Sequence, residues 1–198
     1  NIAHDLRTPL TRLRNRLASI EFDHGGERSE AVTGLLAEAD DLLATFNALL
    51  RIAQIEAGNR RSGFADSDLV TILGDVCEFY EPLAAEKGQS VEVALPGHCP
   101  GVFDRDLLFQ AFANLLDNAI KYAPRGGRIE VRLQAGAREA CVSISDNGPG
   151  IPAAEHDKVF QRFYRVEASR SGHPGNGLGL SLVQAVINLH GGSVQLGD

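Results

Sequence analysis

The stretch Asn1-Ile2-Ala3-His4-Asp5-Leu6-Arg7-Thr8-Pro9-Leu10 opens a run in which Ala3, Leu6, Leu10, Leu13, Leu17 and Ile20 recur at steps of 3, 4, 3, 4 and 3. That is the heptad spacing of a helix burying an a/d seam. With Ala3 at a and Leu6 at d, His4, Asp5 and Thr8 fall at b, c and f, outside the seam. His4 and Thr8 are then one turn apart on an exposed face. Pro9 lies inside the run, where it removes a backbone donor and strands the carbonyl of Asp5, so the helix should bend beside His4. A surface histidine on a bundle helix needs no role, but a plain bundle helix does not ask for that bend.

Working outward, Phe22-Asp23-His24-Gly25-Gly26 is a turn-forming cluster that ends the first helix near Glu21. A second helix is expected over 29–56, with Val32, Leu35, Ala39, Leu42, Phe46, Leu49 and Ala53 at steps of 3 and 4. Two such helices form an antiparallel hairpin whose flanking Leu36, Leu43 and Leu50 would stay wet, and pairing of two chains into a four-helix bundle would cover them. Ala57-Gly58-Asn59-Arg60-Arg61-Ser62-Gly63 breaks the periodicity. The domains expected are 1–57, a hinge at 58–63, and 64–198.

Beyond the hinge the pattern becomes mixed. A short strand is expected near Phe64, a helix over 68–86 capped by Ser67 or Asp66, and a strand over 90–95. A strand at 102–103 leads to a helix over 104–122, followed by strands over 128–134 and 140–145. In these last two, Ile129, Val131, Leu133, Val142 and Ile144 alternate onto one buried face. A helix over 178–190 and a closing strand over 193–196 complete an α/β sandwich, so the whole is an α+β multidomain chain.

The 198 residues are 43% hydrophobic, enough for a helical domain beside a larger one. No run approaches the about 20 apolar residues of a membrane span, and there is no signal peptide, so this piece is expected to be soluble. It starts without Met and with a heptad under way, as expected of a fragment whose first helix extends upstream. The net charge of −7, with basic residues scattered, argues against nucleic acid or an anionic membrane as partner. Cys77, Cys99 and Cys141 match no disulfide scaffold or zinc site, which suits a reducing compartment.

Four clusters carry chemistry in the second domain. Asn114, Asn118, Lys121 and Tyr122 share one helix face while Leu115, Leu116 and Ile120 can turn inward. Carboxamide oxygens suit a Mg²⁺ that keeps several waters and bridges phosphates, and a lysine one turn away can meet phosphate as a point charge. A solvated polar face fits the same spacing. Asp146-Asn147-Gly148-Pro149-Gly150-Ile151-Pro152 sets a carboxylate and two glycines at a strand end, where an exocyclic amine could be bound and a flat ring could approach the backbone. It also fits a plain tight turn. Gly172-His173-Pro174-Gly175-Asn176-Gly177-Leu178-Gly179-Leu180 opens the last helix with free N–H groups, an anion site without the Rossmann context or a Walker lysine. Between them, Val159-Phe160-Gln161-Arg162-Phe163-Tyr164-Arg165 and the polar stretch up to Gly175 have the composition of a mobile lid.

The chain resembles the catalytic core of two-component sensor histidine kinases, a dimerisation and phosphoacceptor hairpin followed by a GHKL-type (Bergerat) ATP-binding domain. The resemblance covers nearly the whole chain. The H box at 4–9, N box at 114–122, first glycine box at 146–150, F box at 160–163 and second glycine box at 175–179 occur in family order.

The resemblance implies that His4 accepts the γ-phosphoryl group of ATP, that Asp5 is the general base orienting its ring, and that Thr8 occupies the position used to hold water for phosphatase action. It implies Mg²⁺ on Asn118 with support from Asn114, phosphate and nucleotide on Lys121 and Tyr122, and adenine on Asp146 and Gly150 with Gly148 in the same site. Gly175, Gly177 and Gly179, with Leu178 among them, would line the phosphate path, and Arg165 would be a lid cation reaching the γ-phosphate. The implied partners are a second copy of the chain and the receiver domain of a response regulator, docking on the hairpin near Arg12, Asn15, Arg16 and Ser19. The implied setting is the cytoplasmic portion of a bacterial inner-membrane sensor. Two other readings share the nucleotide pocket: a dimeric module that binds nucleotide without phosphorylating itself, and an ATPase of the chaperone or topoisomerase kind, which lacks a phosphoacceptor hairpin.

Overall fold

In the computed structural model the chain divides into two compact units, residues 1–54 and 55–198. The structure describes residues 30–56, 63–136, 139–166 and 176–197. The first expected helix, with the H box and the loop over 22–28, lies outside the described residues, as do residue 57 and 58–62 of the expected hinge.

Helix α1 (Glu30–Glu56), all but its last two residues in the first unit, follows the expected span to within a residue. Its burial departs from a simple seam: Ala39 and Ile52 are buried and Phe46 and Leu49 half-buried, while Leu42 is 55% exposed and Ala53 is exposed. Leu36, Leu43 and Leu50 are half-buried. Heptad spacing fixes which residues share a stripe; which side of the stripe is covered depends on the neighbours, which spacing does not specify.

In the second unit, strand β1 (Phe64–Asp68) pairs antiparallel with β3 (Pro100–Asp104), and between them come helix α2 (Leu69–Glu86) and strand β2 (Ser90–Ala94). Helix α3 (Arg105–Tyr122) leads to β4 (Arg128–Ala135) and β5 (Ala140–Asp146), then a 3₁₀ turn (Ala153–Glu155) and helix α4 (Gly179–Leu189). The larger sheet has the order β2-β4-β5, parallel then antiparallel. Central β4 buries Ile129, Val131 and Leu133 as the alternation predicts, while Val142 and Ile144 opposite them on β5 are half-buried.

Helix α3 packs against α2, α4 and β5. It turns Leu107, Leu108, Ala111, Phe112, Leu116, Ala119 and Ile120 into the core, a stripe at steps of 1, 3 and 4. Full burial of each of Leu107, Leu116 and Ile120 contributes about 1.5–3 kcal/mol. This outweighs the cap at its start, worth about 1 kcal/mol, where Asp104 accepts from the N–H of Leu107 at 3.1 Å. Leu115, expected among the inward residues, is half-buried.

Two expectations need correction. The cap of α2 is Asp68, not Ser67 or Asp66: its Oδ1 accepts from Val70 N at 2.9 Å and from Cys99 N at 3.0 Å. All three residues pair in the β1 ladder, and what sets Asp68 apart is that its carboxylate also accepts from Val70 N and Cys99 N. Residues 193–196 form no strand among the described residues. Their alternation leaves Val194 and Leu196 half-buried, but a strand also needs a neighbour to accept and donate its ladder bonds.

Candidate functional site

Four of the expected site residues lie on the C-terminal half of α3. Asn114, Asn118 and Lys121 are half-buried along one face and Tyr122 is exposed at the helix end. Asn114 Nδ2 donates to the carbonyl of Gln110 at 3.0 Å, which turns Oδ1 outward toward the start of α4. A Cβ added to Gly179 would stand 3.3 Å from that oxygen, so the N-box helix and the second glycine cluster meet there.

The first glycine cluster meets the other end of the same face. Asp146 closes β5 and its Oδ1 accepts from Gly148 N at 2.7 Å, an Asx turn. This holds Gly148 so close to Tyr122 that a Cβ there would lie 2.8 Å from the Tyr122 carbonyl oxygen. Asn147 Oδ1 accepts from Arg128 N at 2.8 Å and ties the turn back to β4. Gly150 has φ +68° in open space, a conformation that L side chains resist.

The F box joins the second glycine cluster through the backbone. Phe163 N donates to Gly177 O at 2.9 Å. Gly177 has φ +64°, and a Cβ on it would lie 2.7 Å from the Phe163 carbonyl carbon and 2.8 Å from Tyr164 O. Phe163 itself has φ +64°, an uncommon state for a non-glycine residue, and the residue is 58% exposed. The Tyr164 hydroxyl donates to Glu155 Oε2 on the 3₁₀ turn, whose Oε1 lies 3.5 Å from Lys158 Nζ. Val159, by contrast, is buried.

Three expected residues stand differently from the sequence picture. Lys121 Nζ lies 2.6 Å from Asp117 Oδ2, one turn earlier, so its charge is already paired on the helix. Asp117 also acts on Tyr80 of α2: burial raises the Tyr80 hydroxyl above the ordinary tyrosine range and the Asp117 carboxylate adds to the rise. Leu178, expected at the nucleotide, is 3% exposed, and its carbonyl accepts from Leu182 N and Ser181 Oγ. Arg165 is half-buried and engaged in an interaction of its own. His4, Asp5, Thr8 and Gly175 lie outside the described residues.

Sequence reasoning missed the residues that finish α3. Its C-cap, Ala123, is extended (ψ 144°) and is followed by Pro124, which has no N–H to return to the last turn. The donors come instead from the α2–β2 connection. Lys87 Nζ reaches Ile120 O at 2.8 Å, and Gln89 Nε2 reaches Ile120 O at 3.1 Å, Ala123 O at 3.0 Å and Pro124 O at 3.2 Å. Gln89 is buried and its Oε1 has no hydrogen-bond partner. A proline directly after the last periodic residue, with no glycine, was the available signal that outside donors would be needed.

Among the described residues there is no group of three or more His, Cys, Asp or Glu side chains that could cage a metal. Asn118 offers a half-buried carboxamide beside Asn114, a donor set suited to an ion bound chiefly by phosphate and water. No helix among the described residues is long and apolar enough to cross a membrane.

Comparison with known proteins joins these observations. Residues 1–58 match the His Kinase A (phospho-acceptor) domain family, and residues 103–198 match the family of histidine kinase-, DNA gyrase B- and HSP90-like ATPases. The chain is 31% identical over 197 residues to the sensor protein kinase PmrB of Pseudomonas aeruginosa, covering 98% of itself and 41% of that protein. It thus spans less than half the length of that relative. A solved structure of the mycobacterial sensor histidine kinase MprB is 34% identical with TM-score 0.59, over 67% of this chain and 83% of that one. Full-length ShkA, crystallised in complex with AMPPNP, is 27% identical with TM-score 0.80, over 100% of this chain and 42% of that one. With a phosphoacceptor segment followed by an ATPase domain in which the N box, F box and both glycine clusters converge, the chain belongs to the two-component sensor histidine kinases.

Proposed function

We propose that this chain is the kinase core that phosphorylates its own His4 with Mg-ATP and passes the phosphoryl group to an aspartate on the receiver domain of a response regulator. The observation that carries the reading is the meeting of four motifs at one helix: Gly148 against the Tyr122 carbonyl, Gly179 against Asn114, and Gly177 against the F box. Glycines placed where a Cβ would strike a neighbouring backbone let these motifs close against one another, which brings the residues of the proposed site together.

In the proposed site Asp146, Gly148 and Gly150 hold the adenine. Asn118, supported by Asn114, holds Mg²⁺, which when bound neutralises charge on the phosphate oxygens. Lys121 reaches phosphate by exchanging its Asp117 partner for the ligand, and Tyr122 meets the nucleotide. Gly175, Gly177, Leu178 and Gly179 present backbone N–H groups to the phosphates, and Arg165 brings a second cation to the γ-phosphate. The imidazole of His4, in its neutral form, attacks the γ-phosphorus as the bond to ADP breaks. Asp5 takes up the ring proton and orients the ring, and Thr8 holds the water for dephosphorylation of the partner.

The same reading divides the chain into a phosphoacceptor hairpin at 1–57, a hinge at 58–63 and the ATP-binding domain at 64–198. It pairs two chains through the hairpin, a pairing supported by the 55% exposure of Leu42 on α1. It places the core on the cytoplasmic side of a bacterial inner-membrane sensor. The test is incubation with Mg²⁺ and γ-labelled ATP: acid-labile, base-stable label on the protein is expected. Nucleotide bound without label would return the non-phosphorylating module, and hydrolysis without a phosphoprotein would return an ATPase.

A further inference from the structure

We infer that Gln89 is a positioning residue for the nucleotide site, acting as an external cap on the helix that carries the N box; the inference rests on the nucleotide reading of that site. Four observations lead to it. Helix α3 cannot finish itself, because Pro124 supplies no N–H at the position where a returning bond would be made. The carbonyls at 120 and 123, together with that of Pro124, which also accepts from Gly127 N at 2.9 Å, converge on a single side-chain amide from a segment 31 to 35 residues away. That amide is buried, and its orientation is fixed, since turning it over would set Oε1 against three carbonyl oxygens. Finally, the segment it holds contains Lys121 and Tyr122, and the Tyr122 carbonyl is the surface against which Gly148 is seated.

Gln89 Nε2 has two hydrogens for three acceptors, so one is shared. Lys87 Nζ adds a charged donor to Ile120 O, filling both lone pairs of that oxygen. The carbonyl at Oε1 is left without a partner, which shows that the amide's place is dictated by its donor end. Gly126 N→Lys87 O at 3.0 Å and Ser90 N→Gly127 O at 2.9 Å close the same joint through the backbone. The end of α2, the start of β2 and the exit of α3 are thus fastened at one point. A shift there moves the N box and the first glycine cluster together.

The discriminating variant is Gln89→Met, which keeps the buried volume and removes the donor. Titrated with Mg-ATP well below its melting temperature, it should bind about tenfold more weakly than the native chain, the consequence of losing roughly one hydrogen bond's worth of positioning. In autophosphorylation, KM for ATP should rise by a similar factor while kcat at saturating ATP changes less than twofold. Lys87→Met, which leaves Gln89 in place, should weaken binding by only about two- to threefold. Native affinity in a folded Gln89→Met chain would overturn the inference, since a packing role alone lowers the melting temperature and leaves binding intact. Should that variant not fold, the native chain decides: addition of AMPPNP with Mg²⁺ should shift the Gln89 side-chain amide resonances, and unshifted resonances overturn the inference. A native chain that binds no ATP would overturn the nucleotide reading itself, and the inference with it.

Discussion

The two glycine clusters look alike in sequence and are built on different constraints. In the first, the tasks are separated: Gly148 is required for space, with the Tyr122 carbonyl 2.8 Å from its would-be Cβ, and Gly150 for backbone freedom, at φ +68° with nothing nearby. In the second, Gly177 carries both at once, at φ +64° with the Phe163 carbonyl carbon at 2.7 Å, while Gly179 carries neither strongly, with only Asn114 Oδ1 at 3.3 Å. A glycine-rich motif therefore marks where a ligand or backbone comes close, but not which glycine is indispensable or why.

Substitutions can break this ranking. Gly177→Ala should do most damage, because strain of about 1–2 kcal/mol adds to a backbone collision that pries the F box from the start of α4. ATP affinity should fall by roughly a hundredfold in a titration, with a melting temperature several degrees lower. Gly148→Ala should follow at about tenfold weaker binding, since the collision with Tyr122 shifts the exit of α3. Gly150→Ala should cost about 1 kcal/mol of stability by thermal melting with less effect on affinity.

Asparagine sharpens the comparison. It tolerates positive φ better than other side chains, so Gly150→Asn should recover much of the loss seen with alanine, and Gly148→Asn should recover none. If asparagine rescued Gly148, its constraint would be conformational after all. Gly179→Ala should be the mildest of the series, within about 0.5 kcal/mol of the native chain, because alanine's helix preference offsets the contact with Asn114.

A pH titration supplies a reference point away from both clusters. Asp68 accepts from Cys99 N, His98 Nδ1 and Val70 N, and the Cys99 backbone bond is the largest of the causes that lower its carboxyl below the ordinary value. Its folded-state value lies below the unfolded one, so its contribution to stability is present above the unfolded carboxylate range and is lost as pH falls through the lowered value. Asp68→Asn should flatten the acid limb of stability, read by thermal melts, and leave ATP affinity at neutral pH unchanged.

How much of this was legible depends on how far each feature reaches along the chain. The inward stripe of α3 and the alternation of Ile129, Val131 and Leu133 are local periodicities, and the sheet and helix they specify are present. Asn114, Asn118, Lys121 and Tyr122 share a face because helical geometry requires it. The Lys121–Asp117 pair was readable from the same i, i+4 spacing. Features resting on distant partners were not readable. Asp68 is the cap of α2 because Cys99, 31 residues away, and Val70 both donate to it. Gln89 sits between a glycine and a strand with nothing local to mark it, and the alternation of residues 193–196 says nothing about whether a neighbouring strand exists. Tyr164 and Glu155 meet only after the chain has turned through the F box.

The central claim is that the ATP-binding unit serves one imidazole at the start of the chain. The most direct measurement is to incubate the native chain and its His4→Ala variant with Mg²⁺ and γ-labelled ATP and to compare protein-bound label alongside nucleotide binding. The account predicts acid-labile label on the native chain and none on His4→Ala, with ATP affinity equal in the two. Label that persists on His4→Ala would contradict it.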